Sequence, residues 1–332
     1  MHFPDGIAAQ PDVLARSRET VTAALDRLAV PRPGQVIALV GIGASEYAAH
    51  GAAPAWRAAG LRAFPLPASE MLAAADLSAD VYVAISESGR SAETVKAMEA
   101  VSGRTTVALT NEPGSPLTEV TDGSVHLGSG PDSAVYTTGY TATLQALGLI
   151  GERWSGHGGD GDWSALPDLA QRVLDDFGAV VDAPASVLDA ARIVDVVASG
   201  SGNAAAGEGA LLLRESAHLH TAAHETRNYL HGPMEPLDAQ TACLIIGGGR
   251  EVKLAQDVRA LGCPTILITT REDVRDTAGL TVVRLPRVRS PLARAVLEIL
   301  PIQLLGWSVA SRRGLRVDGF RHRQHDTKLE SA

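Results

Sequence analysis

The sequence predicts an α/β protein made of two tandem doubly wound parallel-sheet subdomains, each a three-layer α/β/α unit. Three observations predict it. Short continuous apolar runs, the mark of buried parallel strands, alternate with helical patterns. The alternation occurs twice, on either side of the glycine-rich stretch Ser155-Gly156-His157-Gly158-Gly159-Asp160-Gly161-Asp162. A chain of 332 residues with 45% apolar side chains is also long enough to fill two cores. The expected division is residues 1–155, with an N-terminal helix, and residues 165–332, with a C-terminal tail.

Residues 11–29 read as an amphipathic helix. Residues 36–40, Val-Ile-Ala-Leu-Val, form a buried strand that runs into Gly41-Ile42-Gly43-Ala44-Ser45. Helix 46–59, strand 62–65, helix 69–76 and strand 81–85 follow. Then come helix 92–101, strand 105–109, a turn at Asn111-Glu112-Pro113-Gly114, strand 124–126 and a long helix at 137–154. The second half echoes the first. Val197-Ala198-Ser199-Gly200-Ser201-Gly202-Asn203 repeats the pattern of residues 39–44, and Thr265-Ile266-Leu267-Ile268-Thr269 repeats residues 106–110. Cys243-Leu244-Ile245-Ile246 leads into Gly247-Gly248-Gly249-Arg250, where the first half has a serine loop. Such a repeat implies two similar subdomains, with one surviving ligand site or one shared between them.

Net charge is −9, which argues against nucleic-acid binding through a basic surface. The basic residues cluster mildly in Arg312-Arg313 and Arg321-His322-Arg323, as a solvated tail or part of an anion site. Cys243 and Cys263 have no CxxC spacing, so the expected setting is a reducing cytoplasm without a disulfide framework. The N-terminal residues lack the basic and apolar regions of a signal peptide, and no apolar run is expected to span a membrane.

The most informative segment is Ser86-Glu87-Ser88-Gly89-Arg90-Ser91. It follows an apolar strand and opens a helix. A helix N-terminus offers unpaired N–H groups and partial positive charge, serines donate hydrogen bonds, and Gly89 lets the backbone approach a phosphate. A serine-capped turn has the same composition. Gly41-x-Gly43 lacks the third glycine of a dinucleotide fingerprint, since position 46 is Glu46. Ser45 there is either a wall of a polar site or a helix cap. In helix 204–217, Glu208 and Glu215 lie two turns apart on one face beside Leu211 and Leu212. Such carboxylates act as a general base if buried, or form a solvated face if exposed. His218, His220, His224 and His231 match no zinc spacing, and Asp160-Gly161-Asp162 lacks the further ligands of a calcium loop.

Together these segments resemble sugar isomerase (SIS) domain proteins. The pattern is similar to the isomerase half of glutamine–fructose-6-phosphate amidotransferase and to related fructosamine-6-phosphate deglycases. The matches are Gly43-Ala44-Ser45, residues 86–94, Gly130-Pro131-Asp132 with Val135 and Thr137-Thr138, Glu208-Gly209-Ala210-Leu211 to Glu215, His231-Gly232-Pro233 and Pro301-Ile302-Gln303-Leu304-Leu305. They run from about residue 35 to the C-terminus. The resemblance implies flavodoxin-like SIS subdomains. It implies that Ser86, Ser88 and Ser91 hold a sugar 6-phosphate and that Ser45, Glu87, Val135 and Thr137 line the sugar. It makes Glu215 the base that moves a proton between C1 and C2. His231 assists ring opening and reaches in from the partner of a homodimer. The C-terminal loop, with His325 and Lys328, folds over the site.

The departures shape the expected activity. His2 stands where a glutaminase domain needs cysteine, so ammonia from glutamine is not expected by that route. Leu212, Leu230 and Gly139 replace lysines of the synthase, His325 stands at the lysine of its C-terminal loop, and Glu87 replaces a glutamine. The resemblance therefore implies a metal-independent, cofactor-free isomerase or deaminase acting on a sugar or amino-sugar 6-phosphate. A fructosamine-6-phosphate deglycase is the alternative, with Glu87 meeting the substrate ammonium. A non-catalytic sugar-phosphate-binding regulator is the alternative of another class. Neither nucleic acid nor membrane is an expected partner.

Overall fold

The computed structural model describes residues 1–73, 78–158, 161–322 and 324–330. Its first half contains α1 (Phe3–Ala8), α2 (Gln10–Leu25), β1 (Val36–Gly41), α3 (Ala44–Ala58), β2 (Arg62–Pro67), β3 (Val81–Ile85), α4 (Ala92–Ala100), β4 (Thr105–Thr110), α5 (Pro116–Glu119), β5 (Gly123–His126) and α6 (Thr138–Ser155). The second half contains α7 (Asp162–Gly178), α8 (Asp182–Ala190), β6 (Ile193–Ala198), α9 (Asn203–Ala217), β7 (Thr221–Glu225), α10 (Thr226–Tyr229), β8 (Thr241–Ile246), α11 (Arg250–Ala260), β9 (Thr265–Thr269), β10 (Leu280–Arg284) and α12 (Pro291–Arg312).

Each half forms a five-stranded, all-parallel sheet. The orders are β2-β1-β3-β4-β5 and β10-β9-β8-β6-β7. Read from the first strand of each half, both orders are 2-1-3-4-5, the doubly wound arrangement. Strand order reverses beside β1 and β6, and ligands of such sheets bind at that crevice, past the carboxyl ends of the strands. The central strands are buried along their length, as in β3 and β9. That burial explains why they read as continuous apolar runs rather than alternating ones.

Helices α3, α6, α9 and α12 pack between the two halves, and one apolar core extends across them. Small residues let α3 and α9 approach closely. A Cβ on Gly51 of α3 would stand 2.4 Å from the Ala204 Cβ of α9, and one on Gly207 would stand 2.2 Å from the Tyr47 ring. The approach fixes α9, and with it Glu208 and Glu215, against the first subdomain. Tyr140 adds a hydrogen bond from its hydroxyl to the Ala204 carbonyl at 2.9 Å.

Helix α12 is long and apolar enough to cross a membrane by length and composition, against the sequence expectation that no run would be. It is instead a core helix. Leu292, Val296, Leu297, Ile299, Leu300, Ile302, Leu305 and Val309 are buried in the shared core, each contributing roughly 2 kcal/mol by leaving water. The expected helix 69–76 is a 3-10 turn at Ala68–Leu72, and its residues 74–76 lie outside those described. Helices α7 and α8 and the strand β7 were not among the expected elements, although α7 carries apolar residues at helical spacing, Trp163, Leu166, Leu169, Ala170, Val173, Leu174 and Phe177. The Asp160 of the Asp160-Gly161-Asp162 reading and the Arg323 of the basic cluster also lie outside the described residues.

Candidate active site

Strand β3 delivers the serine loop to the carboxyl edge of the first sheet. Gly89 adopts φ +58°, a left-handed turn that glycine enters without a Cβ penalty. The Ser86 hydroxyl donates to Ser91 Oγ at 3.1 Å, and the Arg90 N–H donates to Ser88 Oγ at 3.4 Å. The C-terminal tail pairs with this loop. Ala92 N–H donates to the Thr327 carbonyl at 3.2 Å and Leu329 N–H to the Arg90 carbonyl at 2.9 Å, around an antiparallel bridge between Ser91 and Lys328. The Lys328 ammonium donates to Ser88 Oγ at 2.7 Å. A full positive charge thus joins the helix N-terminus of α4 at three hydroxyls, a combination suited to an anion.

Carboxylates gather beside this loop. Asp132 caps the start of α6, accepting from the N–H groups of Ser133, Thr137 and Gly139 at 2.7, 2.8 and 2.7 Å and from the Thr137 hydroxyl at 2.6 Å. Glu87 lies over Gly139, where a Cβ would meet Glu87 Cγ at 2.9 Å. Burial, then the Asp132 charge, push the Glu87 carboxyl up to about 7, while a hydrogen bond from Tyr136 and the Lys328 charge pull it back. Tyr136 is within electrostatic reach of Glu215 as well as Glu87 and Asp132.

Helix α9 supplies the remaining carboxylates. Glu208 is 1% exposed, and burial, then Glu215 and Asp132, hold it well above the usual carboxylate range. Glu215 is half-buried, and burial pushes it up to about 7. Tyr47 faces both glutamates from α3. Glu215 lines an open groove of about 970 Å³ between the C-terminal end of α9 and the tail, together with Arg214, His218, His325 and Lys328. His218 closes α9 in a left-handed conformation, φ 52°. Burial, then Arg321, Arg313 and His322, hold its imidazole below its ordinary value. One groove therefore joins a carboxyl poised near neutrality to a lysine that reaches the serine loop.

Residues 188–275 match the family model described as the SIS domain. The likeness to a SIS domain thus lies in the second half of the chain. The chain is 29% identical over 300 residues to the glutamine–fructose-6-phosphate aminotransferase (isomerizing) of Pyrobaculum aerophilum, covering 84% of this chain and 49% of that protein. It is 28% identical over 275 residues to the Thermus thermophilus protein of the same name, covering 76% and 45%. The chain thus spans about half the length of the curated relatives it matches. The likeness in fold extends over both halves. The C-terminal domain of glucosamine-fructose-6-phosphate aminotransferase from Francisella tularensis superposes with a TM-score of 0.81 at 21% identity, covering 96% of this chain and 98% of that one. Glucosamine-6-phosphate deaminase from Thermotoga maritima superposes with a TM-score of 0.80 at 18% identity, covering 98% and 99%.

Within this fold the residues singled out in the sequence fall in different places. Ser86, Ser88, Ser91, Glu87 and Lys328 lie at or beside the serine loop, and Glu215 and His325 share the groove with Lys328. Ser45 sits half-buried in the first turn of α3, at the carboxyl end of β1. Val135 and Thr137 are fully buried, and the Thr137 hydroxyl is taken up by Asp132, so neither presents an atom at the surface. His231 is exposed on the loop after α10 and does not line the Glu215 groove. The histidine cluster is dispersed. His218 and His220 line the groove, whereas His224 lies 3.7 Å from Asp195 and stacks on Tyr229. Glu208 is buried, which removes the reading of a solvated glutamate face. Sequence reasoning missed Tyr47 and Tyr136. Both follow matched segments by one or two residues, and an aromatic there was the available signal.

Proposed function

We propose that the chain is a phosphosugar-processing enzyme of the aldose–ketose isomerase or deaminase type, acting on a sugar or amino-sugar 6-phosphate. The reading is carried by Glu215, a carboxyl near neutrality on a groove shared with Lys328. Ser86, Ser88, Ser91 and Lys328 hold the phosphate. Binding energy at that remote group orients the reacting carbons. Glu215 takes the proton alpha to the carbonyl or iminium and returns it to the neighbouring carbon through an enediol or enamine. A base with a pKa near the working pH suits that transfer. His231, exposed here, opens the ring from a second copy of the chain in a homodimer with a shared site.

Proton NMR in deuterated buffer tests this with fructose 6-phosphate, glucosamine 6-phosphate and fructosamine 6-phosphate adducts. Deuterium entering C1 or C2 is expected, with the product naming the reaction. Mixing inactive Glu215→Gln and His231→Ala subunits is expected to restore part of the exchange. Binding shifts without exchange on any of the three substrates identify a sugar-phosphate sensor instead.

Glu87 favours an amine-bearing substrate, the deglycase or deaminase branch of this reading. The missing side chain of Gly139 leaves the space that Glu87 occupies. With its carboxyl at about 7, Glu87 carries its full charge only above neutrality. A charge-assisted hydrogen bond to an ammonium is worth about 1.5–3 kcal/mol. Glu87→Gln is therefore expected to weaken fructosamine 6-phosphate binding at pH 8 by roughly tenfold or more. The loss should shrink at pH 6, and fructose 6-phosphate should bind unchanged. Calorimetric titration at both pH values checks it, and undiminished binding at pH 8 removes Glu87 from this role.

A further inference from the structure

We propose that the second subdomain holds a separate site for a small primary ammonium or amine, in the cavity at the carboxyl ends of β6, β8 and β9, with Glu298 receiving its N–H. The cavity has a volume of about 370 Å³ and is lined by Ser199, Gly202, Gly247, Glu251, Arg294 and Glu298 among others. Its position is the counterpart of the serine loop, because β8 has the place in the second sheet that β3 has in the first. Ligands of doubly wound sheets gather at such strand ends.

The chemistry of the two places differs. In the first subdomain the start of α4 is framed by hydroxyls and a lysine. In the second the chain supplies its own anion at the start of α11. Glu251 Oε2 accepts from the Gly249 N–H at 3.1 Å, and Oε1 accepts from the Thr226 hydroxyl at 2.8 Å. Burial alone would raise the Glu251 carboxyl, but hydrogen bonds from its own backbone N–H, Thr226, Ser199 and Gly249 bring it below its ordinary value. It therefore stays charged. A phosphate entering here would meet that carboxylate, so the cavity rejects the ligand that the first subdomain is built to hold.

Glu298 points to what the cavity accepts. It projects from the apolar core helix α12 and is 4% exposed. Its Oε1 lies 3.5 Å from Arg294 Nε. Its Oε2 is buried without a hydrogen-bond partner among the described residues, on the side of Gly202, whose Cβ would stand 3.4 Å away. Leaving such an oxygen unmatched costs about 1–3 kcal/mol or more, and an N–H donor in the cavity removes that cost. The charges facing Glu298 are Arg294 from its own helix and Glu251 from α11. Arg271, across the cavity, is engaged by Asp273 at 2.7 and 2.5 Å. Two carboxylates, against the half-exposed Arg294 and an Arg271 already paired with Asp273, leave a balance that favours a small cation able to donate hydrogen bonds.

The test is a titration of the full chain with methylammonium chloride, read by thermal unfolding and calorimetry. Potassium chloride and tetramethylammonium chloride at equal ionic strength are the controls. A saturable rise in melting temperature is expected with methylammonium alone. The affinity should fall at least tenfold in Glu298→Gln and persist in Glu215→Gln. Because burial pushes the Glu298 carboxyl up to about 7, binding should strengthen from pH 6 to pH 8. If Glu298→Gln does not fold, Gly202→Ala, which sets a methyl against Oε2, must weaken binding instead. An equal response to potassium or tetramethylammonium overturns the proposal, as does binding undiminished in the folded Glu298 or Gly202 variant. Loss in Glu215→Gln with retention in Glu298→Gln overturns it too, because it moves the amine to the first site.

Discussion

Glu215→Gln is expected to abolish turnover and, above neutral pH, to raise the melting temperature. Both effects come from one feature, a carboxyl that burial pushes from 4.5 up to about 7. To accept a proton it must be ionised, so exchange by the native chain should climb as pH rises through 7 and level off above it. Glutamine keeps the shape and loses the base, and removal of a positioned general base lowers kcat by about 10²–10⁴. Stability runs the other way. The folded-state pKa is raised, so the folded chain holds its proton more tightly than the unfolded chain. The folded state therefore carries no penalty from Glu215 below about pH 4.5. A penalty grows as pH rises from there toward 7 and is constant above, at about 3 kcal/mol at most. Glutamine never ionises and never incurs it. The melting temperature of the variant should match the native one near pH 4.5 and exceed it at pH 8, by a few degrees for a chain of this size. Melts at both values, beside initial rates of deuterium exchange, check the pair. A variant less stable at pH 8, or exchange that is flat between pH 6 and 8, would remove Glu215 as a buried base.

The split between what the sequence disclosed and what it hid follows the same physics. Strands 81–85 and 265–269 were legible to the residue because buried parallel strands have no polar face to blur the run. Strand β7, Thr221–Glu225, was not legible. It is the edge strand of its sheet, only Thr221 is buried, and histidine and glutamate interrupt any apolar run. The 69–76 helix failed for a different reason. Its helical composition is overridden by a 3-10 turn that buries Ala68 and Met71. At the site, the serine loop and Glu215 could be read because each sits in a local pattern. The Tyr136–Glu87–Asp132 group could not, and for the Lys328–Ser88 contact only the resemblance placed the tail over the site. Each joins residues from distant segments, and the lysine lies 240 positions from its serine. Such pairs are products of packing, with no spacing to betray them. Val135 and Thr137 show the converse. A match to a family motif located the loop but not which of its side chains reach the surface.

Gly89→Ala should be the most damaging small substitution in the serine loop. Two costs combine. The native φ of +58° disfavours any residue with a Cβ by about 1–2 kcal/mol. The new methyl would also stand 2.0 Å from Ser115 Oγ, 2.5 Å from Ser115 Cβ and 2.9 Å from Thr110 Oγ1. Neither neighbour can yield easily. Ser115 is 1% exposed and precedes α5, and the Gly89 carbonyl accepts from Leu117 N–H at 3.0 Å, so loop and helix are pinned together. Thr110 holds the Glu87 carbonyl at 3.1 Å, so a shift there disturbs the loop from its other side. Overpacking of this kind costs about 1–3 kcal/mol. With the backbone cost, the total is about 2–5 kcal/mol, a fall in melting temperature on the order of 5–15 °C. Phosphate affinity should fall at least tenfold, because relief of the clash moves the hydroxyls that frame the anion. The double variant Gly89→Ala with Ser115→Gly separates the two costs. Removing both Ser115 atoms relieves the two shortest contacts and leaves the backbone part and the Thr110 Oγ1 contact at 2.9 Å, so the melting temperature should recover by up to about half. Full recovery would mean that the left-handed turn is not needed for the loop. No recovery would mean that the turn alone, rather than the packing against Ser115, dictates glycine at this position.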